Sequence, residues 1–303
     1  MNLAQMFILL LACLFLSCFE TKSQSLGVVR DSTTNEPIPY VNMWIDGELI
    51  GTTSDEKGNF IFNADVIGKR VILSSIGYKK KSIVFTKNAQ TILLKPEILH
   101  LKEVVIKSSK EKTRFISEKL KASDIRLFFF CDGMPYMKAR FFPYKEEYAK
   151  TPYLSKVDIV TNSTIENATF NLRLYTLDQF GNPGKSIYAD NIIVAVKKGR
   201  NITSINLTDK QIEFPVSGLL LAFEYLIVKQ NEFTIRYTIP PDTVKVTKVV
   251  YAPSVGVVPA ETNEDSWIYK NGNWQRDDKN KNIKQKVYAD KFDKLAIRVL
   301  LTN

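Results

Sequence analysis

From residue 26 onward, short runs with a strand period of two alternate with clusters of turn residues. In order come "LGVV", "YVNMWI", "IGTTS", "NFIF", "KRVILSSIGY", "KKKSIVF" and "TILL". Turn signals at about every 8–12 residues mean an all-β sandwich or barrel. Strands this short must bury one face against another sheet to be stable. The chain has 303 residues, enough for two ordinary domains. "KPEILHLKEVVIKSSKEK" (95–112) supplies one more strand, "EVVI", and then a charged Ser/Lys segment. The expected organisation is therefore a sandwich over 26–107, a linker at 108–112 and a second strand-rich unit over 113–303. In that unit "TRFISEKLKASD" is expected to form a short helix. "NATFNLRLYT" alternates, with Phe170, Leu172 and Leu174 on one face and Asn171, Arg173 and Tyr175 on the other.

The segment "MFILLLACLFLSCF" (6–19) is apolar throughout and is followed by polar "ETKSQS". It is shorter than the about 20 residues a membrane-spanning helix needs. Its length suits the apolar core of a signal peptide, with Ser23 and Ser25 as the small residues a signal peptidase reads. Residues 1–25 are thus expected to be removed on export to the periplasm, the outer membrane surface or the medium. No second apolar run of spanning length follows, so the mature chain is expected to lack a transmembrane span. Cys13 and Cys18 lie in this segment. In "FLSC", Cys18 offers the alternative of a lipid anchor. Cleavage would leave Cys131 alone, with no intramolecular disulfide to make. The formal net charge of +10 is spread along the chain. It suits anionic partners such as lipopolysaccharide or acidic glycans. No nucleic-acid motif accompanies it, so nucleic acid is not an expected partner.

Gly27 and Val28, "EPIPYVNMWI", "GTTSDEKGNF", "SSIGY" and the closing "LKEVVI" together resemble the carboxypeptidase-like regulatory domain. The resemblance covers 26–107 and implies a seven-stranded, transthyretin-like β-sandwich. Such domains stand at the N-termini of TonB-dependent outer-membrane receptors and in other secreted Gram-negative proteins. Within "GTTSDEKGNFIF", Asp55 can accept a backbone N–H at the start of a turn and Gly58 can take the left-handed position that follows. Asp55 and Glu56 therefore read as a hairpin corner and not as a carboxylate pair. The family name invites a zinc site at "HLKE", with His100 and Glu103. That site needs a second histidine, and His100 is the only one in the chain. No metal or other cofactor is expected. "FNLRLYTLDQFGNPGKSIYADNIIV" is similar to a jelly-roll segment of secreted, carbohydrate-binding-like accessory modules, carried by Tyr175, Asp178, Gly181, Pro183 and Gly184. It implies a jelly-roll-like β-sandwich over 113–303.

One candidate site comes from "WIYKNGNWQR". Asn271–Gly272 is a two-residue hairpin turn, because both positions accept positive φ. That register sets Tyr269 opposite Trp274 and Trp267 opposite Arg276, all on one face. An aromatic patch with an arginine suits stacking on sugar rings. The same pattern describes a hairpin packing its aromatic face onto a sandwich. No catalytic residue is assigned. A Ser–His–Asp or Cys–His arrangement could use only His100, and Cys131, after the apolar "LFFF", reads as a buried small residue. The expected function is that of an exported, non-catalytic envelope or extracellular protein that binds or scaffolds, with a glycan or a protein as partner. One alternative is a secreted hydrolase, with Asp132, Glu224 and Asp178 as carboxylates outside any recognisable pattern. The other is a soluble partner of an outer-membrane TonB-dependent transporter.

Overall fold

The computed structural model describes residues 24–86, 89–97, 112–239, 244–279 and 286–303. Most of the expected signal segment with Cys18, His100, the strand "EVVI" and nearly all of the linker lie outside the described residues.

The first unit is built from β1 (Ser25–Asp31), β2 (Asn42–Ile45), β3 (Gly51–Thr53), β4 (Asn59–Phe62), β5 (Arg70–Ser74), β6 (Lys81–Val84) and β7 (Ala89–Leu94). These seven described strands make two sheets, β4-β1-β7 and β3-β2-β5-β6. Between them lies a core that includes Val29, Met43, Phe60, Phe62, Leu73, Phe85 and Ile92. The rings of Phe60, Phe62 and Phe85 meet edge to face with centroids 5.8–6.2 Å apart, the arrangement that their quadrupoles favour. Asp55 is the corner of the β3–β4 connection: its Oδ1 accepts the N–H groups of Lys57 and Asn59, each at 2.8 Å. Gly58 follows at φ +75°, where a Cβ would also fall 2.8 Å from the carbonyl oxygen of Val29.

The second unit contains β8 (Thr113–Phe115), β9 (Leu127–Cys131), β10 (Met137–Phe142), β11 (Tyr153–Ser163), β12 (Ala168–Leu177), β13 (Pro183–Ser186), β14 (Ile192–Val196) and β15 (Gly199–Asn206). It continues with β16 (Leu219–Tyr225), β17 (Glu232–Ile239), β18 (Val244–Ala260), β19 (Ser266–Lys270), β20 (Asn273–Arg276), β21 (Phe292–Leu295) and β22 (Ile297–Thr302). One sheet runs β13-β12-β16-β10-β19-β20, with β14 also on β12. The other runs β17-β18-β11-β22-β8, with β15 on β11 and both β9 and β21 on β18. The chain passes from sheet to sheet at β9, β10, β11 and β12 in turn. The two inner faces enclose a second core that includes Val157, Ile159, Phe170, Leu172, Leu174, Phe223, Tyr225, Val299 and Leu301. The molecule is thus all-β, two sandwich-like units each with its own core.

The short helix expected in 113–124 is not present. Thr113, Arg114 and Phe115 instead pair with Thr302, Leu301 and Leu300 at the edge of β22, and Ala122–Asp124 makes a single 3-10 turn. An open sheet edge gives those backbone groups a ladder, which overrides a weak local helical preference.

The two units meet sheet against sheet. On β2, Met43 and Ile45 enter the first core, so Asn42 and Trp44 face outward. Trp44 is nevertheless buried, because the Asn271–Gly272 turn covers it; a Cβ on Gly272 would lie 3.1 Å from its ring. Backbone bonds cross the seam from Gly51 N–H to the Gly133 oxygen at 2.8 Å and from Thr53 N–H to the Ile227 oxygen at 3.2 Å. Ile227 N–H returns a bond to Thr53 Oγ1 at 3.0 Å. Gly51 permits this approach, since any Cβ there would sit 2.3 Å from Pro135 Cδ.

Candidate functional site

The seven-stranded sheet has one face in the second core. Its other face is ordered by register. One row across it reads Asn171, Glu224, Met137, Tyr269, Trp274. The next reads Arg173, Ala222, Ala139, Trp267, Arg276, and a third begins Tyr175, Leu220, Phe141. The two alanines leave room at the centre, so side chains from distant strands lean together. Tyr175 meets Trp274 edge to face with centroids 5.4 Å apart, and Tyr269 meets Trp274 at 5.2 Å. Tyr175 Oη is 3.7 Å from the sulfur of Met137.

Over this face lies a cleft of about 930 Å³. Its floor includes Arg173, Tyr175, Glu224, Tyr269 and Trp274. The N-terminal unit forms one wall with Ser74–Tyr78 and Lys80, and the segments 185–188 and 210–216 form the others. Burial raises the phenols of Tyr175 and Tyr269 above their ordinary range. Tyr78 is pushed up to about 12 by burial and by its bond to the Asp31 carboxylate. All three are therefore neutral hydroxyls at physiological pH; Tyr78 donates its proton to Asp31 at 3.0 Å and keeps lone pairs to accept.

The four residues of the expected aromatic platform fall into two pairs. The register places Tyr269 opposite Trp274 and Trp267 opposite Arg276. Tyr269 and Trp274 are half-buried and line the cleft. Trp267 is only 5% exposed and packs with Met137, Ala139, Leu220 and Ala222. The Arg276 guanidinium lies 3.9 Å over the Trp267 ring. It donates to the carbonyl oxygens of Asn263 and Glu264, and it is outside the cleft lining.

The three carboxylates considered from sequence are held apart by different elements. Glu224, 3% exposed, accepts from Asn42 Nδ2 at 2.7 Å, Asn171 Nδ2 at 2.8 Å and Arg173 Nε at 2.7 Å. Asp178 caps its own loop through the N–H groups of Phe180 and Asn182 at 2.8 and 2.9 Å. Asp132 pairs with Lys248 at 2.8 Å on the surface. Cys131 is buried, and burial pushes its thiol up to about 12, so little thiolate exists at neutral pH. Among the described residues, no three His, Cys, Asp or Glu side chains converge as a metal would need, and no helix is long and apolar enough to cross a membrane.

Sequence reasoning put Asn171, Arg173 and Tyr175 on one face of their strand and Phe170, Leu172 and Leu174 on the other; the second set enters the core and the first stands on the opposite face. Two charged or amide side chains on a strand whose other face is core were the available signal. Their convergence on Glu224, and the Asn42 contact from the other unit, were not visible in it.

Residues 26–106 match the family model of the CarboxypepD_reg-like domain. This regulatory-like domain is the unit that supplies Asn42, Trp44 and the Ser74–Tyr78 wall. The domain type is typical of extracellular or envelope proteins. No curated protein matches the chain. Among solved structures, the cysteine protease and lectin-like domains of Cwp84, a surface layer associated protein of Clostridium difficile, overlay with a TM-score of 0.34 at 10% identity. That overlay covers 83% of this chain and 40% of the other, so the chain spans less than half of that protein's length. The infectious bursal disease virus structure of the Gx strain overlays with a TM-score of 0.21 at 12% identity, covering 92% of this chain and 64% of the viral one. Both likenesses are distant.

Proposed function

We propose that the protein is an exported, non-catalytic binding protein of the envelope or extracellular space, and that its cleft takes an oligosaccharide. The observation that carries this is the Tyr175–Tyr269–Trp274 cluster at the floor of a 930 Å³ cleft, half-buried where the neighbouring Trp267 is sealed. Aromatic faces match the C–H faces of sugar rings, and the polar groups around them, the Ser74, Ser75 and Tyr78 hydroxyls among them, suit sugar hydroxyls. A binding role also fits the carboxylates. Glu224 spends its oxygens on three structural donors, and Asp132 and Asp178 are engaged elsewhere. The regulatory-like domain forms a wall of the same cleft, so both units take part in binding.

The test is a glycan array followed by calorimetry on the best-bound oligosaccharide. Wild type binds, and Trp274→Ala loses at least about tenfold in affinity while still melting cooperatively. Equal affinity of wild type and variant, or no bound glycan, contradicts the reading.

A further inference from the structure

We propose that Arg173 makes the cleft selective for sugars that carry a carboxylate, such as uronic acids. This rests on the oligosaccharide reading above and goes further, naming the class of sugar and the residue that reads it.

Arg173 is 3% exposed and stands on the floor of the cleft. A guanidinium carries five N–H donors in a fixed planar fork. Arg173 gives its Nε–H to Glu224, at 2.7 Å, while its Nη1 is buried without a hydrogen-bond partner. A buried charged donor left unmade is disfavoured, and native structures rarely keep one without a reason. Glu224 cannot turn further toward it. Its other oxygen is fixed by Asn42, and the oxygen shared with Arg173 also accepts from Asn171. Asn171 is fixed in turn, because its Oδ1 accepts from the Ile192 N–H at 2.9 Å. The carboxylate therefore anchors one edge of the guanidinium and leaves Nη1 without an acceptor from the chain.

An anionic acceptor fits better than a neutral one. Arg is matched in geometry to the two oxygens of a carboxylate. Three further cations, Lys80, Lys185 and Lys210, line the same cleft, Lys80 giving one N–H to the Gly272 oxygen at 3.0 Å. Lys210 is held in place by the Tyr188 hydroxyl, at 3.0 Å, and by that residue's ring, 4.8 Å from its Nζ. The lining carboxylates other than Glu224 are Glu97 and Glu213. They belong to the N-terminal wall and the 210–216 segment, not to the sheet that carries Arg173.

The experiment uses the whole protein and fragments of alginate, pectin and hyaluronan, each as the native acid and after reduction of its carboxyls to alcohols. Binding is read by calorimetry at two salt concentrations. At least one native acid is expected to bind ten times or more tighter than its reduced form, and Arg173→Lys is expected to erase most of that difference. The variant's melting curve shows whether it is folded. If it is not, Lys185→Ala with Lys210→Ala replaces it and is expected to narrow the gap several-fold. Equal binding of acid and reduced forms overturns the charge selectivity and leaves the oligosaccharide reading standing. An acid preference that neither variant narrows overturns the assignment to this floor. If no fragment of either form binds, while the array returns a neutral glycan that Trp274→Ala releases, the carboxylate assignment alone is wrong. If the array also returns nothing, both readings fail.

Discussion

Asp158 and Glu224 lie buried on the outer faces of the C-terminal sandwich, one on each sheet, each beside an arginine, and they end differently. Asp158 on β11 faces Arg298 and Ser204 directly across the ladder. It accepts Arg298 Nη2 at 2.7 Å, Arg298 Nε at 3.2 Å and Ser204 Oγ at 2.6 Å. The Arg298 guanidinium also lies 4.2 Å from the centroid of the Phe115 ring. Every donor and the ring belong to the same sandwich, so this cluster closes on itself. Glu224 on β16 draws one donor from another unit, 182 residues away in sequence, and its arginine keeps a buried N–H without a partner. The contrast separates an ion pair that stabilises a sheet face from one that joins two units and leaves chemistry over.

The largest effect should come from breaking the open cluster. Glu224→Ala leaves the Arg173 charge buried and removes the Asn42 bond across the seam. A loss of about 3–5 kcal/mol in chemical denaturation is expected. A loss under about 1 kcal/mol would mean the pair is not the junction described here.

The two rungs of the β19–β20 hairpin offer the next comparison. Trp267 is sealed among Met137, Ala139, Leu220, Ala222 and Arg276, so Trp267→Ala should cost about 3 kcal/mol or more. Trp274 is half-buried and holds two aromatic contacts, so Trp274→Ala should cost about 1–2 kcal/mol. Thermal melts of the two variants check the order. Equal losses would mean that Tyr269 and Trp274 are core in the same sense as Trp267.

The smallest effect is expected with pH in the closed cluster. Burial alone would raise the Asp158 carboxyl, but the bond from Ser204 and the bonds and charge of Arg298 outweigh it and hold the group below its ordinary 3.8. A depressed carboxyl contributes stability above its unfolded value and loses it as pH falls through the folded one. Stability should therefore drop below about pH 3.8, and Asp158→Asn should flatten that part of the profile while lowering stability at neutral pH. An unchanged acid limb in the variant would assign the loss to other carboxylates.

What was legible in the sequence was local. The Asn271–Gly272 turn fixed its hairpin register because positive φ at both positions, here +53° and +78°, sets how the flanking strands pair. Asp55 and Gly58 marked a corner for the same kind of reason. The alternation in 168–177 separated core from non-core residues. It did not say what covers the second face. Trp44 in "YVNMWI" reads as one more strand residue, yet it is buried by a turn more than two hundred positions later. The Glu224 cluster gathers Asn42 from β2 and Asn171 and Arg173 from β12, and no spacing within either strand encodes their meeting with β16. The expected helix at 113–124 failed for a related reason, since the strand edge that captured 113–115 is supplied by the last residues of the chain.

The central claim is that the cleft between the two units is the working face and the eight-stranded face is structural. Amide hydrogen exchange with and without the saturating oligosaccharide identified on the array tests it most directly. The account predicts slower exchange in 74–80 of the regulatory-like domain and in 267–276 of the hairpin together, with 153–163 around Asp158 unchanged. Protection centred on 153–163, or none in either wall of the cleft at saturation, would contradict it.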